Sequence, residues 1–418
     1  LSNEIATKAL LAQARWFARD LVRVAGEGCV QAVVVTGSAA TREPAWLCGR
    51  DNSITILSDL DLYVIVRTGS ATASVRRAIE DISCPVVLGG VRLAGGISSA
   101  VVSADELADF VDRPGTRVLR ACGRVVWGDD KVLAGMQDRT PAPMPAGEAL
   151  YLIENRVAEF VGSRRGDGYP LQGGASTEGN RPGGDRRDTA SNTETNPEGP
   201  AAAVESSSSD DREDVTGATW LRYCELKLAE SLVDAILILR GQWTPGRQER
   251  DRAMDQMLGS GVSCPIGSAF AESTRRARHA YQGGADTEAL RPPKDILDRA
   301  RDVWLDIARG TLGPASAEMP ELVRKRCGAG RWVANAREFS AMSRRYGARR
   351  FTALARSARF AAFSPVSALR LVVLCGEFLP HHRLTAHLTR YVVRLTRVLG
   401  SGDGYVTERA RRVRRRIG

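Results

Sequence analysis

The stretch from Gly37 to Val66 constrains this chain more than any other. A β-type run, Val33-Val34-Val35, ends in Thr36-Gly37-Ser38. Further along comes Ser58-Asp59-Leu60-Asp61, followed by a second β-type run, Leu62-Tyr63-Val64-Ile65-Val66. Alternate residues of a strand face the same side, so Asp59 and Asp61 place two carboxylates on one face, about 7 Å apart along the backbone. Two such carboxylates repel unless a cation sits between them. Hard oxygen donors suit Mg²⁺, which takes one or two carboxylates and completes its shell with substrate phosphates. Gly37-Ser38 at a strand end supplies a close-approach backbone and a hydroxyl, the equipment for holding a phosphate.

The set of Gly37, Ser38, Asp59 and Asp61, with Ser58 before the pair, resembles the signature of the DNA polymerase β-like nucleotidyltransferase superfamily. A bare Asp-x-Asp is usually an ordinary solvent-facing pair; the apolar strands and Gly-Ser around it make the resemblance. It covers roughly the first third of the chain. It implies transfer of a nucleoside monophosphate from a nucleoside triphosphate, with Gly37 and Ser38 at the triphosphate and Mg²⁺ on Asp59 and Asp61. The spacing from Ser38 to Asp59 is longer than usual for the family. The excess contains the turn signal Gly49-Arg50-Asp51-Asn52 and the alternating Ser53-Ile54-Thr55-Ile56-Leu57. It reads as an inserted hairpin that lengthens the Asp-bearing strand. Glu43 stands just after the Gly-Ser loop, as in family members with a comparable insertion. Gly123-Arg124-Val125-Val126-Trp127-Gly128-Asp129-Asp130 is a second, weaker match.

The chain departs from the family at one place. A third carboxylate is usual on the strand after Asp-x-Asp, and here Ser98 stands at the expected position. Without that acid, turnover is weak, a base comes from the helical part, or the protein is inactive. Glu225 and Glu230 are the candidates for a substitute base. Relatives of this type pack a helix against the catalytic sheet, and a basic residue on it holds the triphosphate. Lys227 is the candidate for that role; its plain alternative is a solvent-exposed helix lysine.

With 418 residues there is room for two or three domains. The apolar fraction of 43% fits a globular protein, and no run is long and apolar enough to span a membrane. The first residues lack the basic and apolar regions of a signal peptide. Eight scattered cysteines without a C-x-x-C pair argue against a zinc site or disulfide framework and for a cytoplasmic location. The four histidines, His279, His381, His382 and His387, lie far from the aspartate motif, which disfavours histidine-based nucleophilic catalysis. Net charge is +10, concentrated at the end in Arg409 to Arg416. Such a cluster binds polyanions or is simply a solvated tail.

Along the chain, residues 1–140 read as the nucleotidyltransferase domain. Residues 141–162 and 217–260 read as a helical domain interrupted by a disordered insertion, 163–216. That insertion is rich in Gly, Ser, Thr, Asn, Asp and Pro, too polar to offset its ordering entropy. Apolar periodicity predicts helices over 5–26, 144–161, 219–240 and 292–309, and further ones over 321–346, 351–363, 365–379 and 384–399. Residues 261–418 read as a C-terminal helical region with the basic tail.

The expected fold is therefore α+β, a polymerase β-like nucleotidyltransferase domain of mixed sheet and flanking helices followed by an all-α domain. The expected function is Mg²⁺-dependent nucleotidyl transfer to an acceptor hydroxyl on a small molecule, protein or RNA. The alternatives are a catalytically weak or inactive nucleotide-binding protein and a terminal nucleotidyltransferase acting on RNA. Oligomeric state and acceptor are not legible.

Overall fold

The computed structural model describes residues 2–48, 53–82, 87–88, 91–108, 110, 112–136, 142–164, 217–260, 266–283, 295–329, 365–379, 382–385 and 388. It is a mixed α+β architecture of two small sheets and a helical C-terminal part.

The first sheet is built around β1 (Val30–Val35). Val33 and Val35 pack on one side, Ala32 and Val34 on the other, and all four are fully buried. A strand covered on both faces reads as an unbroken apolar run, which is what this segment is. β1 pairs antiparallel with β4 (Leu60–Val66) and with β8 (Arg124–Gly128). β4 pairs in parallel with β7 (Ile97–Ser103), giving the order β7-β4-β1-β8. One face is covered by α1 (Ser2–Ala25) through Ala6, Leu10, Ala14, Phe17 and Leu21, with α3 (Thr72–Glu80) beside it. Each fully buried Leu or Phe there contributes about 1.5–3 kcal/mol. Val24, which falls on the same periodicity, is exposed, and Ala25 packs against this core in its stead. The other face meets Leu107 of α4 (Ala104–Leu107) and Leu119 of α5 (Pro114–Cys122).

The expected hairpin exists, but it does not simply lengthen the Asp-bearing strand. β2 (Trp46–Cys48) and β3 (Ile54–Ile56) pair antiparallel and belong to a second sheet. In that sheet β3 runs parallel to β6 (Val91–Leu93), and β6 pairs with β5 (Val87–Leu88). The chain from β3 to β4 runs alongside the chain from β6 to β7, and both break between the sheets. The Ala94 N–H donates to the Ile56 carbonyl at 2.8 Å and the Leu60 N–H to Gly96 at 2.9 Å. At the break a Cβ on Gly95 would lie 2.5 Å from the Leu57 carbonyl oxygen, so only glycine lets the two chains pass. Trp46 Nε1–H donates to Asn3 Oδ1 at 3.0 Å and to the Gln282 carbonyl at 2.8 Å, tying this sheet to the start of α1 and to the helical part.

The helical part begins with α6 (Ala146–Arg164) and α7 (Gly217–Leu239). Although more than fifty residues separate them in sequence, they make the most extensive helix–helix contact among the described residues. Val157, Phe160, Cys224 and Leu228 lie in their shared core. The same core continues through α8 (Arg247–Gly259), α9 (Gly267–Gly283), α10 (Ile296–Leu312), α11 (Met319–Ala329) and α12 (Pro365–Phe378). Glu154 of α6 is a buried hub. It accepts from Trp304 Nε1 at 3.2 Å and from Arg326 at 3.0 and 3.2 Å. Helix α6 runs to Arg164, three residues beyond its expected end. Helices α8 and α9 fall in stretches read as helical, but apolar periodicity does not delimit them, because their inward faces carry arginines.

No described helix is long and apolar enough to cross a membrane. Most of the expected disordered insertion, residues 330–346 of the helix expected over 321–346, the helices expected over 351–363 and 384–399 apart from 384–385 and 388, and the basic tail Arg409 to Arg416 lie outside the described residues.

Candidate active site

The register of β1 and β4 brings the Gly-Ser turn to the second aspartate. Val35 stands opposite Leu62, and the next N–H, that of Thr36, donates to the Asp61 carbonyl at 2.9 Å. Gly37 follows immediately at φ +63°, a left-handed conformation that favours glycine. A Cβ at Gly37 would overlap Asp61 Oδ2 and lie 3.3 Å from its Cγ. The absent side chain is therefore space that the Asp61 carboxylate uses. Gly37 and Ser38 open α2 (Gly37–Thr41), and the Ser38 carbonyl accepts from the Glu43 N–H at 2.9 Å, which turns the chain towards Glu43.

Strand β4 alternates as expected. Leu60, Leu62 and Val64 are buried in one core cluster, whereas Asp61 and Tyr63, which alternate with them and line a cleft, are half-buried, as is Asp59. Asp59 itself lies in the break just before β4, next to Ser58, which turns inward. Ser58 Oγ accepts from the Ala45 N–H at 2.8 Å and shares a hydrogen bond with the Tyr223 hydroxyl at 3.2 Å. Helix α7 is thereby fastened to the backbone that carries the aspartates.

The electrostatics around the pair are unbalanced. The Asp61 carboxylate has no hydrogen-bond or ion-pair partner among the described residues. Burial first, and then repulsion from Asp59, push its pKa up to about 6. Lys227 Nζ lies 3.5 Å from Asp59 Oδ2 and 2.6 Å from Glu159 Oε1, and sits over the Tyr223 ring. Burial works against the charge on Lys227, but Glu159 and Asp59 outweigh it and hold its pKa above the ordinary lysine value. Glu159 also pairs with Arg156 on α6. Burial opposes ionisation of Glu159 too, yet Arg156 and Lys227 bring its pKa down to about 2. Three carboxylates thus face two cations, and Asp61 is the one left over.

A cleft of about 450 Å³ opens between the sheet and the helices. Gly37, Ser38, Asp61 and Ser98 line its sheet side; Arg156, Arg247 and Arg250 line its helical side. Asp59 and Lys227 are not among its lining residues, so the ammonium engages acids beside the cleft rather than standing free within it. Ser98 pairs directly with Asp61 in the parallel register, where the third acid was expected. Glu230 is committed elsewhere: Arg247 and Arg278 each reach it at 2.6 Å and, against the effect of burial, bring its pKa down to about 2. Neither Glu225 nor Glu230 lines the cleft.

Asp59 and Asp61 offer the oxygen donors a divalent cation needs. Among the described residues, however, no group of three or more His, Cys, Asp or Glu side chains is placed to hold a metal, so further ligands would be water or phosphate oxygens. Several contributors were missed in the sequence: Arg156, Glu159, Tyr223, Arg247 and Arg250. The Arg156–Glu159 spacing of three was the one available signal, since it places both on one helix face. No protein-family model matches this chain, and no curated protein matches it.

Proposed function

We propose that the cleft is a Mg²⁺-dependent nucleoside triphosphate site of a polymerase β-like nucleotidyltransferase. The observation that carries this reading is the meeting of Gly37 and Asp61. A left-handed glycine followed by Ser38 lies directly against a half-buried carboxylate that has no partner of its own. A loop that holds phosphates and a carboxylate that needs a cation are thereby brought together. Asp59 and Asp61 fit a hard divalent ion, because the site carries one uncompensated acid and its donors are oxygens. When bound, such an ion neutralises phosphate charge and favours displacement at phosphorus.

The chain's own residues do the rest. Gly37 and Ser38 offer close backbone and a hydroxyl to the polyphosphate. Arg156, in the cleft wall, faces the same space with a guanidinium. Lys227, held by Glu159, lies 3.5 Å from Asp59 Oδ2, so its role here is to position the aspartate rather than to grasp the triphosphate directly. Phosphoryl-type transfer requires positioning and charge neutralisation more than covalent protein chemistry, which suits this set.

A second reading, nucleotide binding with weak or absent turnover, is favoured by Ser98 beside Asp61. Incubation with ATP or GTP labelled at the α-phosphate, with Mg²⁺ and candidate acceptors, separates the two. Label transfer with pyrophosphate release supports the enzyme. Bound but unconverted nucleotide supports the second reading, and no Mg²⁺-dependent association removes both.

A further inference from the structure

The walls of the cleft hold three guanidinium groups, and each is answered by an acid. Arg156 pairs with Glu159, Arg247 with Glu230, and Arg250 Nε lies 2.9 Å from Asp234. The same walls hold three carboxylates: Glu43, Asp61 and Asp234. Asp234 is taken by Arg250. Asp61 belongs to the cation site proposed above. Glu43 remains, and among the described residues it makes no ion pair.

We propose that Glu43 is the proton acceptor for the attacking hydroxyl, in place of the carboxylate missing at Ser98. This rests on the nucleotidyltransferase reading. Glu43 reaches the cleft by a route independent of β7. The short helix α2 begins at Gly37, ends in Arg42 at φ +62°, and the Glu43 N–H closes back on the Ser38 carbonyl at 2.9 Å. The turn that presents the phosphate-facing Gly-Ser therefore also delivers an acid to the same cavity.

The environment suits a base. Burial lifts the Glu43 carboxyl above its ordinary value, while Arg247, Arg250, the Thr41 hydroxyl and Arg278 pull the other way. Cys122 of α5 also feels its charge. A base works best when its pKa lies nearer the working pH than that of a free carboxylate. In the step, the acceptor O–H bond breaks and its proton passes to Glu43. The acceptor oxygen bonds to the α-phosphorus as the bond from that phosphorus to the bridging oxygen breaks. Pyrophosphate leaves with the electron pair, and Glu43 later returns its proton to solvent.

Water serves as the acceptor in the test, so that no unknown substrate is needed. The full chain, Glu43→Gln and Glu43→Asp are compared for Mg²⁺-ATP binding by calorimetry and for pyrophosphate release from pH 5 to 9. Glu43→Gln is expected to bind Mg²⁺-ATP within about twofold of the parent and to lose at least about 100-fold in release. The parent rate is expected to fall on the acid side with a midpoint that does not move with Mg²⁺ concentration. That limb is expected to vanish in Glu43→Gln and persist in Glu43→Asp. Unchanged release in Glu43→Gln, or equal losses of binding and rate, would overturn the assignment. So would a parent that binds Mg²⁺-ATP yet releases nothing at any pH. If Glu43→Gln does not fold, the parent's acid limb and its persistence in Glu43→Asp decide alone. Absence of Mg²⁺-ATP binding by the parent sinks the nucleotidyltransferase reading itself, and this assignment with it.

Discussion

Gly37 has no side chain because Asp61 occupies the space where one would be. The Thr36–Asp61 backbone hydrogen bond of 2.9 Å sets that contact, and the φ of +63° at Gly37 makes it doubly exclusive. Gly37→Ala must both adopt a left-handed backbone and displace a carboxylate. A loss of about 2 kcal/mol or more is expected, read as a lower thermal midpoint. Mg²⁺-nucleotide binding is expected to be lost even at temperatures where the variant is folded.

Much of this relationship was legible in the sequence. The alternation in Leu60 to Val66 put Asp61 on the face away from Leu60, Leu62 and Val64, and the register placed Ser98 beside Asp61 as expected. What was not legible depends on contacts between distant segments. Lys227 lies near Asp59 only because α7 packs on α6 and is pinned by the Tyr223–Ser58 hydrogen bond. Nothing local to Lys227 encodes that. The inserted hairpin is legible in its turn signal and alternation, but its separate sheet is not, since the break at Leu57–Asp59 is imposed by the close passage of Gly95. The bounds of helices α8 and α9 are not legible because arginines such as Arg250 and Arg278 occupy positions where apolar residues signal a buried face.

Ser98→Asp would place a third carboxylate next to Asp61 on the adjacent parallel strand. Like charges side by side cost about 1 kcal/mol or less, so the metal-free protein is expected to melt at a lower temperature. Added Mg²⁺ is expected to reverse that loss, more in the variant than in the parent. Thermal midpoints with and without Mg²⁺ measure it.

Glu154 holds three helices together through Trp304 and Arg326. Glu154→Ala removes the buried carboxylate that the Trp304 indole N–H and Arg326 share. A loss of about 3 kcal/mol is expected, seen in chemical denaturation as a lower midpoint with an unchanged slope.

Glu230 gives the protein an acid-sensitive component. Its folded pKa, near 2, lies below the unfolded value near 4.5, because Arg247 and Arg278 outweigh burial. The unfolded chain thus binds the proton more readily, and the stabilisation is complete above the unfolded pKa and lost as pH falls from 4.5 towards 2. Glu230→Gln is expected to cost about 2–3 kcal/mol at pH 7. It is also expected to flatten the stability profile in that acid window, as measured by denaturation at a series of pH values.

The central claim is that Asp59 and Asp61 make a cation-dependent nucleotide site. Calorimetric titration of ATP and GTP, with and without Mg²⁺, into the parent and into a variant carrying Asp59→Asn with Asp61→Asn tests it most directly. The parent is expected to bind nucleotide only with Mg²⁺. The double variant is expected to lose that binding while staying as stable as the metal-free parent or becoming more so, because Asp61 is held uncompensated beside Asp59. Equal Mg²⁺-dependent binding by the two proteins, or none by the parent, would contradict the account.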